Sequence, residues 1–140
     1  MKIYFACSIS GGRQDEGVYQ KMVQVLLSMG MHVPSAHISM TGIEQIDGLE
    51  EASDIYQRDV DWIKESDLLI AEVSTPSHGV GYEIAYALNL SKPVFCLYHE
   101  RAVVSKMITG NSHSLLSVSS YQDWPDAENK LREYILIMDS

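Results

Sequence analysis

The chain has 140 residues, 46% of them apolar, and a formal net charge of −9. That length fits a single domain, residues 1–140, and the apolar fraction is large enough for a real core. The acidic balance, with no basic run or aromatic–basic interleaving, argues against a nucleic-acid partner, and no apolar stretch approaches a membrane span. In chain order, Ile3–Cys7 reads as a buried strand, followed by a loop at Ser10-Gly11-Gly12-Arg13. A helix then runs from Gln14 or Asp15 to about Met29, with Val18, Met22, Val25, Leu26 and Met29 at helical spacing and Gly30 stopping it. Met31–Ala36 reads as a second strand, and His37–Gly48 as a polar loop able to order over a ligand. A helix from about Leu49 to Glu65, a strand Leu68–Val73, a helix Gly79–Leu90 and a strand Pro93–Tyr98 follow. The region His99–His113 is a loop with one helical turn near Val103–Ile108. A strand Leu115–Ser119 and a helix from Pro125 to about Met138, with the proline at its first position, complete the chain.

Strands that alternate with helices predict an α/β fold with a doubly wound, five-stranded parallel sheet and helices on both faces. Right-handed crossovers favour the order 2-1-3-4-5. Ligands in such sheets bind outside the C-terminal strand ends, where the winding reverses. The loops at that point follow Cys7 and Val73, and both are rich in glycine and serine. Cys7 and Cys96 lie in or beside apolar strand patterns and are expected as core residues rather than as a disulfide. The N-terminus enters a strand almost at once, which is not the pattern of a secretory signal. The expected location is the cytoplasm, with the nucleus as the alternative in a eukaryote.

The most telling stretch is Pro76-Ser77-His78-Gly79-Val80-Gly81-Tyr82-Glu83, a glycine-rich turn between a buried strand and a helix. Backbone N–H groups at such a turn can hold an anion, and Glu83 is expected in the first helical turn beside it. A Glu early in a helix is also simply a favourable solvated placement. The glycines, which admit a close ligand, shift the balance toward a site. Ile84 stands where a dinucleotide fingerprint needs its third glycine, and no Gly-Lys-Ser/Thr follows, so neither NAD nor a P-loop is indicated. Asp59 interrupts the apolar row Ile55–Asp59–Ile63, so it requires a partner or a task; Asp61 reads as solvated. Tyr4 is a core aromatic or a hydroxyl aimed at the site. Ser8, Ser10, Gly11 and Ser77 could supply neutral donors to a sugar or phosphate, with Arg13 the one cation near the first loop. The five histidines show no metal-ligand spacing, and no metal or cofactor is expected. No Ser-His-Asp set is suggested either.

Three segments, Ile3 to Arg13, Arg58-Asp59-Val60-Asp61-Trp62 and Ala71 to Glu83, together resemble the 2′-deoxynucleoside 5′-phosphate N-hydrolases of the nucleoside 2-deoxyribosyltransferase superfamily. The resemblance spans nearly the whole chain. It implies hydrolysis of the N-glycosidic bond of 2′-deoxynucleoside 5′-monophosphates, giving free base and 2-deoxyribose 5-phosphate. It further implies that Glu83 is the nucleophile, Asp59 the acid that assists the leaving base, and Tyr4 the residue that orients Glu83. Phe5, Ala6, Cys7, Ser8, Ile9, Ser10, Gly11, Tyr19, His37, Ser77 and Gly79 match substrate-binding positions. Ser105, Lys106 and Met107 match an element that reaches the neighbouring subunit's site, which implies a homodimer. Family members usually carry Gly at the position of Cys7 and Arg at that of Ser10. Cys7 therefore adds bulk, and Ser10 removes a positive charge near the ligand. The rival expectations are a base-exchanging deoxyribosyltransferase and a nucleotide-binding protein without catalysis. A response-regulator domain would need an acidic cluster after the first strand, which Cys7-Ser8-Ile9-Ser10 lacks.

Overall fold

The computed structural model describes residues 1–9, 15–40, 42–43, 46 and 48–140. Four strands form one parallel sheet: β1 (Ile3–Ala6), β2 (Leu68–Glu72), β3 (Val94–His99) and β4 (Leu116–Tyr121). They lie in the order β1-β2-β3-β4, with Ile3 opposite Leu68, Leu69 opposite Val94 and Val94 opposite Leu116. Every side chain of β1 and β2 is buried. Successive side chains point to opposite faces, so the sheet is covered on both. The helices are α1 (Glu16–Ser28), α2 (Ala52–Glu65), α3 (His78–Asn89), the short α4 (Lys106–Thr109) and α5 (Trp124–Met138). α1 packs against α5, and α2 against α3.

The five-stranded sheet in the order 2-1-3-4-5 is corrected by this structure. Met31–Ala36 contributes only one parallel bridge, His32 to Lys2, on the edge of β1 away from β2. Ile3 N–H donates to the His32 carbonyl at 2.8 Å, and His32 N–H to Met1 at 3.0 Å. A continuing parallel ladder would next need the N–H of residue 34, and Pro34 has none. The Ser35 hydroxyl takes over instead: it accepts from Phe5 N–H at 2.8 Å and donates to the Phe5 carbonyl at 2.9 Å. The chain then enters a 3-10 turn at Ala36–Ser39, the beginning of what the sequence reads as loop.

Both helix stops on the path to the site use a left-handed residue. Gly30, at φ 83°, ends α1 with Gly30 N–H on Leu27 and Met31 N–H on Leu26. α3 ends the same way, with Ser91 N–H on Leu88 and Lys92 N–H on Ala87, but the left-handed residue is Ser91 at φ 59°. A side chain there costs about 1 kcal/mol that glycine avoids. Ser91→Gly is therefore expected to raise the unfolding free energy by about 0.5–1 kcal/mol, measured by urea denaturation. α5 is started by Asp123, whose carboxylate accepts from Asp126 N–H at 2.9 Å. Pro125 falls one position later than expected, because Trp124 opens the helix. Cys7 and Cys96 are both buried free thiols. Among the described residues, no helix is long and apolar enough to cross a membrane.

Candidate active site

The C-terminal ends of β1 and β2 open into a cavity of about 780 Å³. Cys7 and Ile9 come to it from the end of β1, and Ser77, His78, Gly79 and Val80 from the turn into α3. Asp59 looks in from α2 between Ile55 and Ile63, with Glu83 opposite on α3. Two carboxyl groups distant in sequence thus share one apolar hollow. Glu83 lies in the second turn of α3, not the first, because the helix starts at His78. Ser77 caps that helix, accepting from Val80 N–H at 3.3 Å.

The Tyr4 hydroxyl, at the centre of the buried β1, donates to Glu83 Oε2. Burial pushes the Glu83 carboxyl up to about 8; the Asp59 charge adds to the rise, while the Tyr4 bond and the Arg58 cation oppose it. Burial, and then the charge of Glu83, hold the Tyr4 phenol well above its usual range, so it stays a donor. Arg58 Nε lies 2.9 Å from Asp59 Oδ1, and its Nη1 lies 3.6 Å from Glu50 Oε2. The guanidinium also stands 5.1 Å from the Trp62 ring centre. Consecutive helical residues do not face one another, so sequence spacing assigns Arg58 no role. The length of its side chain is what brings it back to Asp59. Asp61, as expected, is occupied outside the cavity, accepting from Gln57 Nε2 at 2.9 Å.

The remaining expected residues divide into groups. Phe5, Ala6, Ser8 and Tyr19 are fully buried around β1 and α1. His37 stands edge-on to Trp62 at 5.4 Å, while its neighbour Ile38 lines the cavity. Ser10 and Gly11 lie outside the described residues. Ser105, Lys106 and Met107 line a second hollow of about 750 Å³. That hollow shares Ser77, His78, Val80 and Tyr82 with the first, so the start of α3 is the wall between them. Two features went unforeseen. Tyr56 and Tyr82, both half exposed, join hydroxyls at 3.0 Å between α2 and α3 at the cavity wall. Glu72, at the end of β2, is fully buried and accepts from Ser74 N–H at 2.6 Å, from the Ser74 hydroxyl at 2.8 Å and from the Tyr121 hydroxyl. Burial pushes its carboxyl upward against those three bonds. Among the described residues, no group of three or more His, Cys, Asp or Glu side chains gathers as a metal site.

Comparison with known proteins places this chain in a family. The nucleoside 2-deoxyribosyltransferase family model matches residues 3–121. A 5-hydroxymethyl-dUMP N-hydrolase of Danio rerio is 40% identical over 139 residues, covering 96% of this chain and 95% of that protein. The protein of the same name from Mus musculus is 36% identical over 135 residues, covering 92% of this chain and 74% of that protein. Among solved structures, a CMP N-glycosidase of Clostridium botulinum superposes with a TM-score of 0.69 at 22% identity, covering 94% of this chain and 99% of that one. At that identity the likeness establishes the shared fold alone. On the family model and the sequence relatives together, this chain belongs to the nucleoside 2-deoxyribosyltransferase family.

Proposed function

We propose that this protein hydrolyses the N-glycosidic bond of 2′-deoxynucleoside 5′-monophosphates, releasing the base and 2-deoxyribose 5-phosphate. The observation that carries the reading is the convergence of Glu83 and Asp59 on one cavity, with Tyr4 bonded to Glu83. The N-hydrolase names of the relatives point the same way. Cleavage develops positive charge on the sugar, and two carboxyl groups serve such a reaction as nucleophile and acid. Glu83 attacks the anomeric carbon as a carboxylate, and the C–N bond breaks with its electron pair going to the base. Asp59 gives that base nitrogen a proton, and Arg58 orients Asp59. Water then cleaves the deoxyribosyl ester of Glu83, losing a proton to Asp59. The 5′-phosphate is held by Ser77 and the N–H groups at the start of α3.

In this reading residues 1–140 act as one domain, and Ser105, Lys106 and Met107 complete the site of a second copy. Met107 is 83% exposed and Val103 88% exposed, both on the hollow beside the α3 wall. Sedimentation equilibrium is expected to show a dimer, and Met107→Glu to give monomers with reduced activity.

The direct test incubates the protein with the four deoxynucleoside monophosphates, their ribose counterparts and the dephosphorylated forms, and measures released base. Release confined to deoxy monophosphates is expected; no release from any of them would overturn the reading. The family's transferase members motivate one rival, base exchange. Adding a second free base and finding the exchanged nucleotide in place of free sugar phosphate would establish it. Tyr4→Phe removes a bond that favours the Glu83 carboxylate. It is expected to raise the Glu83 pKa further, lowering the share of Glu83 carboxylate and with it the activity plateau, and moving the alkaline fall of the pH–rate profile to higher pH.

A further inference from the structure

The connection 73–77, between β2 and α3, turns most of its polar side chains away from the cavity. The Thr75 hydroxyl donates to Asp15 Oδ2 at 2.9 Å. The Ser74 hydroxyl donates to Glu72 and accepts from His99 N–H at 2.8 Å. Glu72 also takes the Ser74 N–H and the Tyr121 hydroxyl. One buried carboxyl thus ties the first residues of the connection to the ends of β3 and β4. Tyr121 is itself fixed by an edge-on contact with the His99 ring at 5.6 Å. Downstream of this clamp stands Ser77, which caps α3 and lines the cavity. Glu83 is held separately, by Tyr4 of β1.

We propose that Glu72 is a positioning residue for phosphate recognition: by clamping Ser74 against Tyr121 it sets where Ser77 and the first N–H groups of α3 meet the 5′-phosphate. The inference rests on the functional reading above and deepens it. The carboxyl accepts from three donors, two of them on Ser74. A glutamine of the same shape has one oxygen acceptor, and its NH₂ faces donors it cannot satisfy. The connection then loosens on the phosphate side, while the Tyr4–Glu83 pair keeps its own support. The predicted signature is a defect in phosphate discrimination rather than in bond cleavage.

The experiment measures kcat/KM for a deoxynucleoside 5′-monophosphate and for the corresponding deoxynucleoside, in the wild type and in Glu72→Gln, Ser74→Ala and Tyr121→Phe. Where the nucleoside is too slow, inhibition by 2-deoxyribose 5-phosphate relative to 2-deoxyribose gives the same ratio. Glu72→Gln and Ser74→Ala are expected to lower the phosphate preference by about ten- to a hundredfold, through KM more than kcat. Tyr121→Phe, which deletes one hydroxyl, is expected to lower it about threefold. A residue with a merely structural role would depress both substrates together and leave the ratio where it was. An unmoved ratio in the variants that fold therefore overturns the inference. If Glu72→Gln fails to fold, the two single-hydroxyl deletions decide it. A wild type that shows no phosphate preference is a different failure: it removes the reading of the site on which the inference stands.

Discussion

Replacing Glu83 with glutamine is expected to lower kcat by about two to four powers of ten, with KM for the deoxynucleoside monophosphate changed far less. The amide keeps the volume of the side chain and its bond from Tyr4, but it cannot add to the anomeric carbon. The measurement is release of base under saturating substrate; ordinary turnover by Glu83→Gln would remove the nucleophile from the mechanism. The same variant should be more stable than the parent in alkaline buffer. Burial holds the Glu83 carboxyl at about 8 in the folded chain, against an ordinary value of 4.5. Between those values the folded state binds more protons than the unfolded state, so the parent loses stability as pH rises through this window. Each pKa unit corresponds to about 1.4 kcal/mol. The advantage of Glu83→Gln should therefore be absent near pH 4, grow up to pH 8 and then level off. Melting curves across that range test it.

The second large effect is on the pH dependence of the wild-type enzyme. The nucleophile works only as a carboxylate, and the free enzyme holds it protonated below about 8. Because kcat/KM reports groups of the free enzyme, and the active form needs one proton across the pair, on Asp59 rather than Glu83, it is expected to stay level up to roughly pH 8 and to fall about tenfold per pH unit above it. Activity at pH 10 is then about a hundredfold below the plateau. The substrate's phosphate titrates near 6, so its limb falls about two units lower and is separable. A profile still level at pH 10 would show that catalysis does not use a proton shared between Glu83 and Asp59.

Much of this arrangement was legible in the chain because strand runs and helix repeats are local signals. The turn at Pro76–Gly79 followed by Glu83, and Asp59 within an apolar row, were readable for the same reason. What escaped was non-local. The expected second strand carried its own breaker, the missing N–H at Pro34, but only the fold shows the Ser35 hydroxyl reaching Phe5 and ending the pairing after a single bridge. Glu72 lay hidden at the end of an apolar run, and its partner Tyr121 is 49 residues away. Tyr121 itself fell beyond the expected end of the last strand, which reaches two residues past Ser119. Arg58 needed side-chain length, rather than helical phase, to meet Asp59.

The Ser35 hydroxyl has a consequence outside chemistry. A sheet that ends in free amides and carbonyls is a template on which another molecule can extend it, the usual route to fibrillar aggregates. Here both main-chain groups of Phe5 on that margin are already taken by one side chain. Nothing is left at that residue for an incoming β-segment to grip, so the protein guards its flank without spending a whole strand on the task.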